Sequence, residues 1–424
     1  MSLFSNRTFL KLFLASFTSQ LGTIVGNMAF AFYLLDHFSN QPSYATLAEM
    51  MYALPTLAVF FIVGVIADRV DRRRIAEYSD WVRAGLTLIL FIAISMKVLP
   101  VVFFILFLRS AVSKFFQPAE SSMLQGILSK EQYTQASGLN QMIFGVFMLF
   151  GVGLGAISYQ YIGIQGAVMV DGFSFIISAL LIHFCRISES VRLPNGKADW
   201  KNMKLSVLTR DFKAGLSYIL QHHLLLMLIS GFFIFGLING AFAVLPLFTM
   251  KYKLAPDTYE RFTTLFAIFL GIGFLIGSVI GTSIAKLVKP HQIMIAGLFA
   301  AAGVTMILGF INHVWLYLIL FFVLGLFLAP VNIAIGGWKP AIVEPAYMGR
   351  VNAWIDPLMM LAHSIALGLI ALVYPHFVGL SVIYYGIGIA LFSVFLIYAI
   401  TLPKLSRVDS QVQVQVQSQA DSIV

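Results

Sequence analysis

Apolar runs of about 20 residues, divided by short polar turns, recur from the start of the chain to residue 402. Each run is long enough to cross the hydrocarbon layer as a helix. None has the ten-residue alternation of a barrel strand. Backbone polar groups in lipid need partners within the segment, so the runs are helices. The pattern predicts twelve, over 9–35, 43–66, 77–97, 99–118, 135–160, 163–185, 224–249, 263–286, 291–311, 313–335, 351–375 and 378–402. The expected fold is an all-α polytopic membrane protein with twelve transmembrane helices in two six-helix pseudo-repeat halves.

The longest polar break divides the chain. Residues 1–185 form the N-terminal half, 186–223 a linker, 224–402 the C-terminal half and 403–424 a disordered tail. The linker ends in DFKAGLSYILQHH, whose apolar positions fall at helical spacing, as in an amphipathic helix on a membrane surface. The tail carries QVQVQVQSQAD, a low-complexity stretch. The halves echo one another: Pro118 and Asn140 stand 22 residues apart, as do Pro330 and Asn352. Such duplication is the mark of transporters built from parallel repeats.

Composition agrees, with 59% hydrophobic residues and only 11% charged. The net charge of +9 is scattered over short loops and forms no nucleic-acid-binding stripe. Only Lys97, Lys251, Lys253 and Arg261 fall on one side of the predicted topology. The other side gathers Arg7, Lys11, the 69–74 cluster, Lys130, the 186–213 linker, Lys286, Lys289, Lys339, Arg350, Lys404 and Arg407. The positive-inside rule therefore places both termini in the cytoplasm of a cell membrane, bacterial inner or plasma. The single cysteine, Cys185, excludes an intrachain disulfide and a thiolate metal cluster. The N-terminus lacks a small-residue cleavage site and reads as the start of the first span.

The densest charge is Gly64-Val-Ile-Ala-Asp68-Arg69-Val-Asp71-Arg72-Arg73-Arg74, a turn between the second and third spans. Gly64, Asp68, Arg69, Arg72 and Arg73 match the signature of the major facilitator superfamily, which the chain resembles over about residues 8–402. Asp71 stands where that signature has glycine. Leu54-Pro55, Arg109, Phe116-Gln-Pro118-Ala, Asp171 and Tyr347-Met-Gly-Arg350-Val resemble the subgroup of macrolide-efflux proteins and the enterobactin exporter. The glycine run at 145, 151, 153 and 155 lacks the proline of the drug-antiporter signature. The resemblance implies that Gly64, Asp68, Arg69, Arg72 and Arg73 form a conformational switch. Asp68 would meet the start of the eleventh span, Arg350 to Ala353, and Arg72 or Arg73 stands near enough in sequence to pair with it.

Ionisable residues inside spans mark candidate ion pathways. Arg109 lies near mid-membrane, with Glu49, Asp171 and Asp356 in other spans. Asp356 and His363 share a helix face about 10 Å apart along the axis. These five are the candidates for proton coupling. The alternatives are a structural Arg109, an Asp171 bonded across a helix interface, a vestibular Glu49 and a packing His363. Arg83, nearer a span end, is expected to snorkel to the surface. By family analogy, Gln20, Asn27, Tyr52, Gln141, Asn239, Asn332, Trp338 and Trp354 are candidates for the substrate cavity.

No P-loop, HExxH or serine elbow is present, so the expectation is neither an ATPase nor another enzyme, with no cofactor and no metal. Sparse amides among many Phe and Met point to a large amphiphilic substrate. The resemblance implies a secondary transporter, monomeric by family default, exporting such compounds by proton antiport. A dedicated exporter or flippase for a siderophore or lysolipid, or a non-transporting membrane receptor, stand as alternatives.

Overall fold

The computed structural model describes residues 3–193, 205–285, 287–343 and 348–421. Its regular elements among these residues are all helices. The long helices are α1 (Arg7–His37), α2 (Ser43–Arg69), α3 (Arg72–Ser95), α4 (Leu99–Ile127) and α5 (Lys130–His183). A single turn, α6 (Glu189–Arg192), and α7 (Leu205–Gln221) follow. Then come α8 (His223–Thr249), α9 (Tyr259–Ile284), α10 (Pro290–Phe310), α11 (Val314–Ile342), α12 (Met348–Val373) and α13 (Leu380–Asp421). Ten stretches among the described residues are long and apolar enough to cross a membrane.

The starts and stops follow local chemistry. Asn6 caps α1 by accepting from the N–H groups of Thr8 and Phe9 at 3.0 and 3.2 Å. Ser129 and Gln132 form a reciprocal capping box on α5. Pro100 and Pro290 fall in first turns, where a missing N–H costs little. The corner between α3 and α4 puts Lys97 in the left-handed region, φ 56°. The fifth and sixth predicted spans are the two arms of α5, which meet at Gly163, φ 68° and ψ −179°. Only glycine takes that conformation without strain.

Two differences from expectation stand out. The helix α13 continues through Pro403 to Asp421, where a disordered tail is expected. No glycine or further proline interrupts the residues after Pro403, and their Gln residues are good helix formers. The expected amphipathic surface segment is α7, but it starts earlier, at Leu205. Residues 194–204, Lys286 and Tyr347 lie outside the described residues.

The chain forms two compact units. The first comprises Met1–Lys204, Ala243–Ile268 and Leu367–Tyr374, so it takes in more than the expected N-terminal half. Its core joins α1 to α5, α3 to α4 and α5, and α2 to α4. One cluster, near the charged turn, centres on Phe9, Leu12, Ala76, Ala119, Met123 and Ile182. Another, toward the Gly163 end, centres on Phe30, Leu34, Leu90, Val102, Leu106 and Val168. The second unit comprises Leu205–Phe242, Phe269–Ala366 and Pro375–Val424. Within it α10 packs on α11 and α13. Gly273, Gly277 and Gly281 on α9 meet the backbone of Phe322, Leu326 and Pro330 on α11, the close approach that small residues allow between helices in lipid.

Candidate functional site

Four stripes of polar residues converge inside the first unit. On α1 they are Ser16, Ser19, Gln20, Thr23 and Asn27; on α3, Asp80 and Arg83. On α4 they are Arg109, Ser113, Gln117 and Glu120; on the second arm of α5, Asp171, Ser174 and Ser178. Spacings of three and four residues put each set on one helix face. Asp80 and Asp171 have no exposed surface, and Arg83, Arg109 and Glu120 are buried.

Two ion pairs lie at the centre. Arg83 Nη1 donates to Asp80 Oδ1 at 3.0 Å and to Ser19 Oγ at 2.9 Å, and its Nη2 donates to Thr23 Oγ1 at 2.7 Å. Arg109 Nη2 donates to Asp171 Oδ2. The ring of Phe175 serves both cations, with the Arg83 guanidinium 3.8 Å and that of Arg109 5.5 Å from its centroid. Charges this deep are tolerated because each has a partner. Gly22 and Gly26 on α1 make room for α5: a Cβ on Gly26 would lie 2.8 Å from Asp171 Oδ2.

Beside the pairs is a cavity of about 590 Å³, lined by Gln20, Ile24, Met28, Arg83, Phe116, Glu120 and Phe147 among others. The Ser16 hydroxyl donates to Glu120 Oε2 at 3.0 Å and accepts from Gln20 Nε2 at 3.1 Å. A smaller cavity of about 160 Å³ is lined by Asn27, Tyr52, Arg83, Arg109, Ser110 and Lys114. Glu49 stands one helical turn before Tyr52, within electrostatic reach of it, as are Arg109 and Asp171.

At the Gly163 end of the same unit, Lys251 Nζ meets Asp36 Oδ1 at 2.7 Å. Tyr259 also donates to Asp36 Oδ1, at 2.8 Å, and lies 4.0 Å below the Lys251 ammonium. Tyr252 donates to the Ser39 carbonyl at 3.0 Å, and Gln160 to Glu260.

At the charged turn the described contacts centre on Asp71. Asp71 caps α3, accepting from Arg73 N and Arg74 N at 3.0 and 3.3 Å, and its Oδ2 pairs with Arg192 at 3.1 Å. Arg73 donates to the carbonyls of Ile182 and His183, and Arg72 to that of Val191 at 3.4 Å. The side chains of Gly64, Asp68, Arg69 and Arg350 lie outside the described residues.

The second unit holds the remaining candidates. His363 is buried and its Nδ1 is 3.0 Å from Asn239 Oδ1. Gly236 and Gly240 let α8 approach the backbone of α12 at Met359 and His363. Asp356 is exposed, so the His363 contact goes to α8 and not along its own helix to Asp356. Asn332 is exposed and bonds to Leu328 O of its own helix at 3.0 Å. Trp354 packs on the cluster of Tyr218, Ile229 and Val351, and the Trp338 ring lies 6.2 Å from His291. The side chain of Gln141 lies outside the described residues.

The structure thus brings together Arg109 with Asp171, and Gln20, Asn27 and Tyr52 with the cavities. The expectation that Arg83 snorkels is corrected: Asp80, one turn earlier, supplies a buried partner. Sequence reasoning missed Asp80, Glu120, Lys114 and the α1 serines. Asp80, Lys114 and the serines carried a signal as polar residues at helical spacing within apolar spans, whereas Glu120 lies beyond the end of the predicted fourth span.

The model of the Major Facilitator Superfamily matches residues 12–365. The chain belongs to this superfamily. It is 55% identical over 416 residues to the uncharacterized MFS-type transporter YkuC of Bacillus subtilis, covering 98% of this chain and 97% of that protein. It is 24% identical over 365 residues to macrolide efflux protein A of Streptococcus pyogenes, covering 84% and 86%. Among solved structures, a mutant of the peptide transporter POT in complex with alafosfalin aligns with a TM-score of 0.75 at 12% identity, covering 94% of each chain. A POT family transporter bound to a thioalcohol-conjugated peptide aligns at 0.70 and 13%, covering 93% and 96%. These neighbours are alike in fold. The chain is a multi-pass membrane transporter of the superfamily.

Proposed function

We propose that this chain is a secondary active transporter that exports hydrophobic or amphiphilic compounds by proton antiport with alternating access. The observation that carries the reading is the cavity of about 590 Å³ whose apolar wall adjoins buried ionisable side chains. Its size and mixed lining suit a drug-sized amphiphile. The similarity to macrolide efflux protein A supports the direction of transport. Arg109 with Asp171 is the favoured proton-coupling pair, because carboxylate protonation would release a buried guanidinium. Glu49, near Tyr52, is the second carboxylate of that region. Asp356 and His363 are less favoured, the first being exposed and the second bonded to Asn239. Gly64, Asp68, Arg69, Arg72 and Arg73 keep their proposed role as the conformational switch. The protein works as a monomer in a bacterial cell membrane with cytoplasmic termini, and it is not an enzyme.

The test is flux in proteoliposomes under an imposed pH gradient, with a cationic dye and a macrolide as probes. Gradient-driven flux that is lost in Asp171→Asn supports the reading. Absence of flux of either probe by folded protein refutes it.

A further inference from the structure

The larger cavity has one acid whose charge no basic side chain answers. Glu120 is 5% exposed and makes no ion pair among the described residues. Arg83, on the same wall, is answered by Asp80, and Arg109 by Asp171. Lys114, on the same helix, lines the smaller cavity instead.

The hydrogen bonds fix what Glu120 can do. The Ser16 oxygen accepts from Gln20, so its own proton goes to Glu120 Oε2. Glu120 Oε1 is buried and has no hydrogen-bond partner among the described residues. A carboxylate in such a place is costly unless it takes a proton or a positive group comes to it. The surroundings suit a cation with an apolar body. The aromatic side chains of Phe116 and Phe147 line the same cavity, and Ile24, Met28 and Val152 continue its apolar wall.

We propose that Glu120 is the anchor for cationic amphiphiles: a protonated or quaternary amine meets its carboxylate while the apolar body lies along Phe116, Phe147 and Ile24. This rests on the amphiphile export proposed above and narrows the substrate class to compounds with a positive charge.

Full-length protein in nanodiscs is assayed for binding of radiolabelled tetraphenylphosphonium and of progesterone, a neutral amphiphile. Glu120→Gln weakens tetraphenylphosphonium binding about tenfold or more and leaves progesterone binding unchanged. Glu120→Asp, which keeps the charge, retains most of the cation affinity. Wild-type affinity for the cation in Glu120→Gln overturns the proposal and leaves amphiphile export standing. So does an equal loss of both probes in both variants, which marks Glu120 as structural. Failure of folded wild-type protein to bind either probe refutes the export reading itself, and the assignment with it.

Discussion

Asp71 Oδ2 stands 3.1 Å from Arg192 Nη1, while the other carboxylate oxygen of Asp71 caps α3. One side chain therefore starts a helix and ties the charged turn to α6. The superfamily pattern has glycine here, which can begin a helix but cannot hold Arg192.

Substitutions at Asp71 separate the two roles. Asp71→Ala loses the cap, about 1 kcal/mol, and an ion pair worth about 1 kcal/mol or less at this partial exposure. Asp71→Asn keeps the cap and loses only the charge. Thermal unfolding in detergent should rank the native protein first, then Asp71→Asn, then Asp71→Ala. Equal melting of the two variants would remove the cap from the account.

Breaking the pair between Arg109 and Asp171 leaves a lone buried charge. Asp171→Leu and Arg109→Met should each lower stability by about 3–5 kcal/mol, and the double variant should recover most of it. Unfolding curves give the stabilities. Flux under a pH gradient should stay absent in the stable double variant if the pair carries the proton.

At Gly26, a methyl group would press on Asp171 Oδ2, whereas at Gly145 an added Cβ has nothing within 4 Å among the described residues. Gly26→Ala should cost about 1–3 kcal/mol by overpacking. Gly145→Ala should be neutral or stabilise by up to about 1 kcal/mol, because alanine is the better helix former. The same melting assay checks both, and a destabilised Gly145→Ala would contradict the open space seen there.

The contact of Asp36 with Lys251 should tolerate exchange of sign. Asp36→Lys and Lys251→Asp should each reduce thermal stability by about 1 kcal/mol or less, since both groups are partly exposed. The doubly exchanged protein should return toward native values. Additive losses in the double variant would show that the ammonium contributes through the Tyr259 ring instead.

Cys185 is 2% exposed and donates to Leu181 O at 3.3 Å. A buried thiol of this kind is inert. Maleimide at neutral pH should leave the folded protein unlabelled and label it fully after denaturation. Rapid labelling of the native protein would show that this end of α5 opens.

The spans were legible because each apolar run has the length that lipid imposes, and the predicted break between 135–160 and 163–185 falls at the Gly163 reversal inside α5. The site was legible only where a charge stood alone: Arg109 and Asp171 are conspicuous in apolar sequence. Asp80 and Arg83 were harder to read. Near the end of a span, a charge in sequence looks the same whether it reaches water or meets a partner, and only packing decides. Glu120 was hidden for the same reason, two residues past Pro118, where the predicted span had already ended but α4 runs on to Ile127. The contact between His363 and Asn239 joins residues 124 positions apart, which no periodicity within one helix reveals.

Phe175 lies against both guanidiniums, so the two ion pairs share one wall. Neutralising Asp171 would release Arg109, and the ring and Arg83 would feel the change before solvent did. A disturbance at either pair is thereby handed to the other through one ring, so a substitution at Phe175 would reach both arginines at once.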